Sequence, residues 1–502
     1  MKVARSRSGM VVAAHPLSAE AGLEILAEGG NAVEAAVAVS LTLGVVEPQA
    51  SGLGGGGMMM IAPYGDPTKT RLLDGRGRTS SLHTEDYIYP KRVMLPWVPK
   101  TGPMSATIPG LGRLLGTALA KFGGKLPLAR LARRAIGAAA DGFPVGEVLI
   151  YCSSLFEGTI RSHPEAARIF YNGGRRFQPG ERLAQPELAK TLRLIVERGF
   201  EVLYTGEVGI AMAAAVNATG PVWGKEDLAR YELRVREPLW GEIAGYRIAT
   251  TPPPSRAGVA ILRALAALAD GPKEAPDRIV FMLRTFERLF KALDPIVGDP
   301  DVMEVDLSRI ETGEAPKPGG GTSHFTVVDR EGTVVTMSQT IGHFFGSGVV
   351  VPGYGILLND DISDMERKPG HPNSVGPSKR AVTNMAPTIL FQGRPRIALG
   401  TPGTVRIFPA LTCVLQNMLY GAMDLERAVS AGRVHWEEGR GFLEGDIPPE
   451  IRSRVRELYG GPLDERRPRD LFFGGVHAVE ITTDGTIVGV ADPRRDGVAL
   501  GL

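Results

Sequence analysis

An α+β fold is predicted by three features of the chain. Helical patterning dominates before residue 310, a Gly- and Pro-rich segment, "IETGEAPKPGGG", interrupts it at 310–321, and strand-like alternation follows. Glycine loops that feed apolar strands near the N-terminus mix sheet with helix from the start. At 502 residues the chain exceeds the size at which a single core grows easily, so one very large domain or two interlocked layers is expected.

The segment "HPLSAEAGLEILAEGGNAVEAAVAVSLTLGVVEP" predicts two helices. The first is capped near Ser18 and stopped by Gly29 and Gly30, and the second is opened by Asn31 with Glu34 three residues on. "SGLGGGGMMMIAP" predicts a glycine loop entering a strand at Met58 to Ala62, and "TRLLDGRGRTS" a strand ending in a loop that carries Arg76 and Arg78. From "TIPGLGRLLGTALAKFG" to "ATTPPPSRAG" the pattern is mostly helical with glycine punctuation, until three prolines forbid a regular element. A further helix is expected from Asp277 to Leu293, and then 310–321 reads as a linker. Beyond it strands are expected in "SHFTVVD", "TVVTMSQTI", "GSGVVVPGYGILL", "RPRIALGTPG" and "FFGGVHAVEITTDGTIVGVAD", with a helix around "PALTCVLQNML".

Composition excludes several classes. Lys+Arg 57 against Asp+Glu 55, interspersed along the chain, gives no basic stripe for nucleic acid. Cys152 and Cys413 are too few for a disulfide framework, lie in no metal-ligand spacing and read as buried thiols. The N-terminus lacks a signal-peptide apolar region, and no stretch is long and apolar enough for a bilayer, so a cytoplasmic protein without membrane contact is expected. No cofactor and no metal are expected. His324 and His343, without cysteine or carboxylate spacing, read as hydrogen-bonded structural histidines. "GLGGGG" satisfies G-x-G-x-x-G, but it precedes a strand, the reverse of the order a dinucleotide site needs; it reads as glycines that let backbones pack closely.

In "GGGTSHFTVVDREGTVVTMSQT" the loop Arg330-Glu331-Gly332 fits a three-residue hairpin closed by a left-handed glycine. With Asp329 opposite Thr333, the register places Thr322 opposite Thr340, two hydroxyls on facing positions. Two readings follow. In one, a linker simply enters an edge hairpin. In the other, glycines before Thr322 let its hydroxyl attack the carbonyl of Gly321, and cutting Gly321–Thr322 frees an α-amine, of reference pKa about 7.7–8.0, to act as the base for that hydroxyl.

"GTSHFTVVDREGTVVTMSQTIGHFFGSGVVVPGYGILLND" resembles the start of the small subunit of the γ-glutamyltransferases, N-terminal-nucleophile hydrolases matured by self-cleavage before a threonine. Similar segments run nearly end to end, among them "PQASGLGGGGMMMI", "AADGFPVG", "PPPSRAG", "NMAPTIL", "GTPGTVRI" and "GVADPRRDG". The resemblance implies a four-layer α/β/β/α sandwich in which 1–321 and 322–502 are interlocked subunits of one domain, a heterodimer that can pair again. It implies Thr322 as nucleophile, Thr340 as its supporting hydroxyl, and Gly403 with Thr404 at the oxyanion hole. Arg76 matches the arginine that pairs with a substrate carboxylate, with Arg78 as the competing candidate. Asp364 matches the acid that holds the substrate ammonium, competing with Asp360 and Asp361, while Thr383 and Asn384 stand in place of a serine pair that assists carboxylate binding.

The chain also departs from the family pattern. Gly342 stands where an asparagine or glutamate grips the α-amino group, Asp360 and Asp361 replace an amide pair, and Thr404 replaces the second oxyanion glycine. The stretch 365–384 is shorter than in members with a lid, which implies an open pocket and hydrolysis favoured over transfer. The resemblance therefore implies cleavage of γ-glutamyl amides such as glutathione. Its alternatives are an amidase for another acyl group, such as oxamate or a β-lactam side chain, and an uncleaved, inactive relative that binds small acidic ligands.

Overall fold

The computed structural model describes residues 2–84, 100–308, 321–366 and 368–502. The expected linker at 310–321 thus lies outside the described residues except for Gly321. Two seven-stranded sheets organise the chain, and every neighbouring pair within them is antiparallel. Their strands are β1 (Val3–Ser6), β2 (Met10–Ala13), β3 (Gly56–Ala62), β4 (Arg71–Gly75), β5 (Arg234–Arg236), β6 (Leu239–Ile243), β7 (Tyr246–Thr250), β8 (Ser323–Val328), β9 (Val334–Thr340), β10 (Thr388–Gln392), β11 (Arg394–Gly400), β12 (His477–Ile481), β13 (Ile487–Ala491) and β14 (Val498–Gly501). The first sheet runs β1-β13-β12-β11-β10-β7-β6 and the second β14-β2-β8-β9-β3-β4-β5.

The alternation of side chains along the strands explains the layers. On β2, Met10 and Val12 point into the space between the sheets while Val11 and Ala13 point outward; on β3, Met58 and Met60 point in while Met59 and Ile61 point out. The inner faces close on each other through Met10, Met58, Met60, Ile389, Phe391 and Val479. Outside the second sheet lie α1 (Pro16–Ala27), α2 (Ala32–Val46) and α3 (Leu111–Phe122), packed on Val11, Met59, Phe325 and Met337. Outside the first lie α4 (Arg256–Ala269), α5 (Asp277–Leu293) and α6 (Ile407–Leu419), packed on Ile248, Leu390, Leu399 and Ala478. A strand buried on both faces cannot alternate apolar with polar, which is why "MVVA" and "GGMMMIA" are continuous apolar runs. The result is a four-layer α/β/β/α sandwich.

Each sheet draws strands from both sides of Thr322. The β8–β9 hairpin inserts between β2 and β3, so the second sheet cannot form without the segment after Gly321.

Local expectations met the structure unevenly. α2 opens on the Asn31–Glu34 capping box, with Asn31 Oδ1 accepting the Val33 and Glu34 N–H groups and Glu34 Oε2 accepting the Asn31 N–H. α1, however, is capped by His15 rather than near Ser18: Pro16 takes the first helical position, and His15 Nδ1 accepts the Leu17 N–H. The stretch 346–358 is not a strand. Gly346, Gly348, Gly353 and Gly355 all have positive φ, and only two isolated bridges remain, Val350 to Leu357 and Leu358 to Gly54. Strands β5 to β7 replace the last part of the expected helical run before the prolines. No helix among the described residues is long and apolar enough to cross a membrane.

Candidate functional site

Thr322 stands immediately before β8. The hairpin pairs Ser323 with Gln339 and Val328 with Val334, and the same register carries Thr322 to a place opposite Thr340. The turn is the one expected: Asp329 N–H donates to Thr333 O, and Gly332 lies in the left-handed region at φ 82°. Both threonine hydroxyls converge on one carbonyl. Thr322 Oγ1 donates to Gly321 O at 2.8 Å, Thr340 Oγ1 donates to the same oxygen at 2.5 Å, and the two hydroxyl oxygens are 3.5 Å apart. Gly342 N–H donates to Thr340 Oγ1 at 2.9 Å, which orients that hydroxyl proton toward Gly321.

Gly321 serves by its lack of a side chain. A Cβ there would lie 2.7 Å from the Phe344 ring and 3.1 Å from Gln49 O. On the opposite face of the hairpin, Ser323 Oγ donates to Glu47 at 2.6 Å and Gln339 Nε2 donates to Ser51 Oγ at 3.0 Å. Complete burial pushes the Glu47 carboxyl above its ordinary range.

The glycine run at 54–57 gathers the site, as close backbone packing predicts. A Cβ on Gly55 would sit 2.0 Å from Thr340 O, and one on Gly54 would sit 2.2 Å from Leu357 O. These contacts bring the ends of β4 and β9 and the loop 359–364 to one place. There Arg76 donates from Nη1 to Asp361 Oδ1 at 2.9 Å and from Nη2 to Asp364 Oδ2 at 2.5 Å. Arg76 and Asp361 are fully buried, whereas the Asp364 side chain is 26% exposed. Arg78 turns elsewhere, to Arg230 O and the face of Tyr231. One guanidinium shared by two carboxylates cannot compensate both, so burial and the neighbouring acids raise the Asp361 carboxyl to about 6 despite Arg76.

The loop is held from below by Ile362 and Met365, which pack with Val375 and Ala381. It is held from the side by Asn359, whose Oδ1 accepts from Thr107 N–H, Thr107 Oγ1 and Asp361 N–H.

Gly342 and Asp360 are two halves of one arrangement. Gly342 has φ 91°, and a Cβ on it would lie 2.0 Å from Asp360 Oδ1, so the carboxylate occupies the volume a side chain at 342 would need. Asp360 in turn accepts the His343 backbone N–H and its ring Nδ1, both at 2.8 Å, and Ser363 Oγ donates to Asp360 Oδ2 at 3.0 Å. Burial opposes a charge on His343, but the Asp360 carboxylate outweighs it and raises the imidazole to about 9.

The sign of the resulting pH effect is definite. A histidine that binds its proton more tightly when folded stabilises the chain fully below its unfolded pKa of about 6.5, and this contribution is lost as pH rises through about 9. By scanning calorimetry, the wild type is expected to lose roughly 2–3 kcal/mol between pH 7 and pH 10 that His343→Gln does not lose. Parallel pH profiles for the two proteins would refute the pair.

The remaining candidates lie on loops at the same end of the sandwich. β11 ends at Gly400, where a Cβ would meet the ring of His324 at 2.1 Å, and the chain then turns through Gly403 at φ 134° and Thr404 at φ 51°. A threonine in the left-handed region is uncommon and marks a loop held by its surroundings. Thr383 precedes β10; its hydroxyl accepts the Met385 N–H and its backbone bridges Ser255, while Asn384 beside it is half-buried. His324 is hydrogen-bonded to Ser338 and Thr336, as expected of a structural histidine. Among the described residues no group of three or more His, Cys, Asp or Glu side chains is arranged to hold a metal ion.

The family model described as Gamma-glutamyltranspeptidase matches residues 18–315 and 306–502. The chain belongs to the gamma-glutamyltranspeptidase family. It is an enzyme of that family, with the N-terminal-nucleophile hydrolase fold. A glutathione hydrolase proenzyme of Bacillus subtilis (strain 168) is 32% identical over 99% of this chain and 92% of its own length. An acylase ACY 1 proenzyme of Pseudomonas sp. (strain SE83) is 34% identical over 100% of this chain and 95% of its own. Among solved structures, cephalosporin acylase from Bacillus halodurans superposes with a TM-score of 0.92 at 27% identity, covering 100% of this chain and 97% of that one.

Against the transpeptidase-family pattern, sequence reasoning saw the departures at 342, 360 and 361 as separate substitutions. Three residues of the constellation were missed: Thr107, Asn359 and the partner role of His343. Only the last had a local signal, a histidine directly after the departing glycine.

Proposed function

We propose that the protein is a self-processing threonine amidohydrolase that also transfers acyl groups, with hydrolysis favoured. The observation that carries this is the convergence of the Thr322 and Thr340 hydroxyls on the Gly321 carbonyl. In the maturation step the Thr322 oxygen bonds to the Gly321 carbonyl carbon and its proton passes to the Thr322 nitrogen as the C–N bond breaks. Water then hydrolyses the ester, leaving a Gly321 carboxylate and a free N-terminal threonine. Thr340, donating to the carbonyl oxygen, stabilises the charge that develops there.

Thr322 is 3% exposed while Gly321 is joined to it, so cutting that bond is also what opens the nucleophile to substrate. In turnover the freed amine takes the hydroxyl proton as the Thr322 oxygen bonds to the substrate carbonyl carbon, the carbonyl oxygen facing Gly403–Thr404; the C–N bond breaks, the amine leaves with that proton, and water hydrolyses the acyl ester on Thr322. Residues 1–321 and 322–502 are then two interlocked subunits of one heterodimer, with a small acyl amide as substrate.

Carrying over Arg76 and Asp364 with Thr383 and Asn384 makes the acyl donor a γ-glutamyl compound such as glutathione. A second reading, an acylase for another acyl group, is favoured by two observations. Arg76 is already paired within the protein, and Asp360 fills the space of an amine-gripping side chain at 342. Both readings meet the same test: intact mass and N-terminal sequencing of the purified protein after incubation. A fragment beginning Thr-Ser-His-Phe is expected, and a single uncut chain under all conditions would overturn the proposal.

A further inference from the structure

We propose that Asp361 is a resident carboxylate filling the Arg76 fork, so that the acyl pocket takes amides whose acyl end carries an amine or other hydrogen-bond donor and no carboxylate. This rests on the reading of Thr322 and its surroundings as an acyl-transfer site, and within that reading it takes the acylase alternative over the γ-glutamyl one.

Three observations carry it. Both terminal nitrogens of Arg76 are committed to protein carboxylates, and Nε is buried without a hydrogen-bond partner among the described residues. An arginine recognises a carboxylate by offering a pair of parallel donors, and here neither flank of the fork faces solvent. Asp361 is not easily displaced. Its backbone N–H is tied to Asn359 and its Oδ2 lies 3.3 Å from the Thr107 hydroxyl, so an incoming carboxylate would leave a buried anion without its cation.

The exposed side of the cluster also points away from an anion. Asp360 and Asp361 are fully buried, and the carboxylate of the three that reaches solvent is that of Asp364, 26% exposed. A carboxylate brought there meets repulsion, whereas an ammonium or N–H group meets an acceptor.

The test uses three p-nitroanilides of one chain length: γ-glutamyl, with both amine and carboxylate; 4-aminobutanoyl, with the amine alone; and glutaryl, with the carboxylate alone. On the processed wild type, kcat/KM for the 4-aminobutanoyl substrate, above the enzyme-free rate, is expected to exceed that for the other two. The expected margin is on the order of tenfold to a hundredfold. Asp361→Asn is expected to shift the ratio of γ-glutamyl to 4-aminobutanoyl turnover by at least about tenfold toward γ-glutamyl.

Wild-type preference for γ-glutamyl or glutaryl amides by a processed enzyme would overturn the inference and leave the acyl-transfer reading standing. An uncut chain that turns over none of them would overturn that reading instead. Calorimetric binding of 4-aminobutanamide and of glutaric acid monoamide to the same protein would then decide the inference. Tighter binding of the amine upholds it, and tighter or equal binding of the carboxylate ends it.

Discussion

Thr322→Ala is expected to remain one chain from its first residue to Leu502 and to hydrolyse no amide, a loss on the order of 10⁴-fold or more. The substitution removes the attacking oxygen and nothing else of consequence: the β8–β9 register is set at Gly332, ten residues away, and does not depend on a hydroxyl at 322. Thr322→Ser keeps the oxygen and is expected to be cut. Thr340→Val isolates the second hydroxyl. It keeps the branched shape that packs on the strand while deleting the donor to Gly321 O, and it is expected to slow cleavage roughly 10²–10³-fold, the usual cost of one oxyanion donor. A time course of intact mass distinguishes these outcomes. Cleavage of Thr322→Ala at the wild-type rate would remove the hydroxyl from the mechanism.

Arg76→Met is expected to destabilise the folded chain by about 3–5 kcal/mol, because it leaves the fully buried Asp361 with two carboxylate neighbours and no cation. For a chain of this length, that corresponds to a fall of roughly 3–5 °C in the thermal midpoint. Adding Asp361→Asn removes the stranded charge, so the double variant is expected to recover most of the loss although it carries one more substitution. Asp364 contributes less to the penalty because it reaches solvent. The coupling between the two positions, measured as a double-mutant cycle by scanning calorimetry, is the decisive quantity. Additive effects would mean that Arg76 and Asp361 do not depend on each other.

Local chemistry made parts of this molecule legible in advance. The Arg330-Glu331-Gly332 turn and its register, the Asn31–Glu34 capping box and the helix Asp277–Leu293 each depend on residues within a few positions of one another. The errors were also local. Pro16 moved a cap to His15, and four left-handed glycines dissolved an apparent strand at 346–358.

The sequence by itself determined that Thr322 faces Thr340 across a hairpin, because turn geometry and strand period transmit position along the chain. Only the tertiary structure decided which charges meet. Arg76 and Asp361 are 285 residues apart, and nothing in the spacing of "GRGR" or "NDDISD" distinguishes Arg76 from Arg78 or pairs an acid with either. Ion pairing depends on burial and distance, and both are set by how the two sheets and the glycine run bring separate loops together. For the same reason Gly342, Asp360 and His343 read as three independent residues in the sequence and as one filled space in the fold.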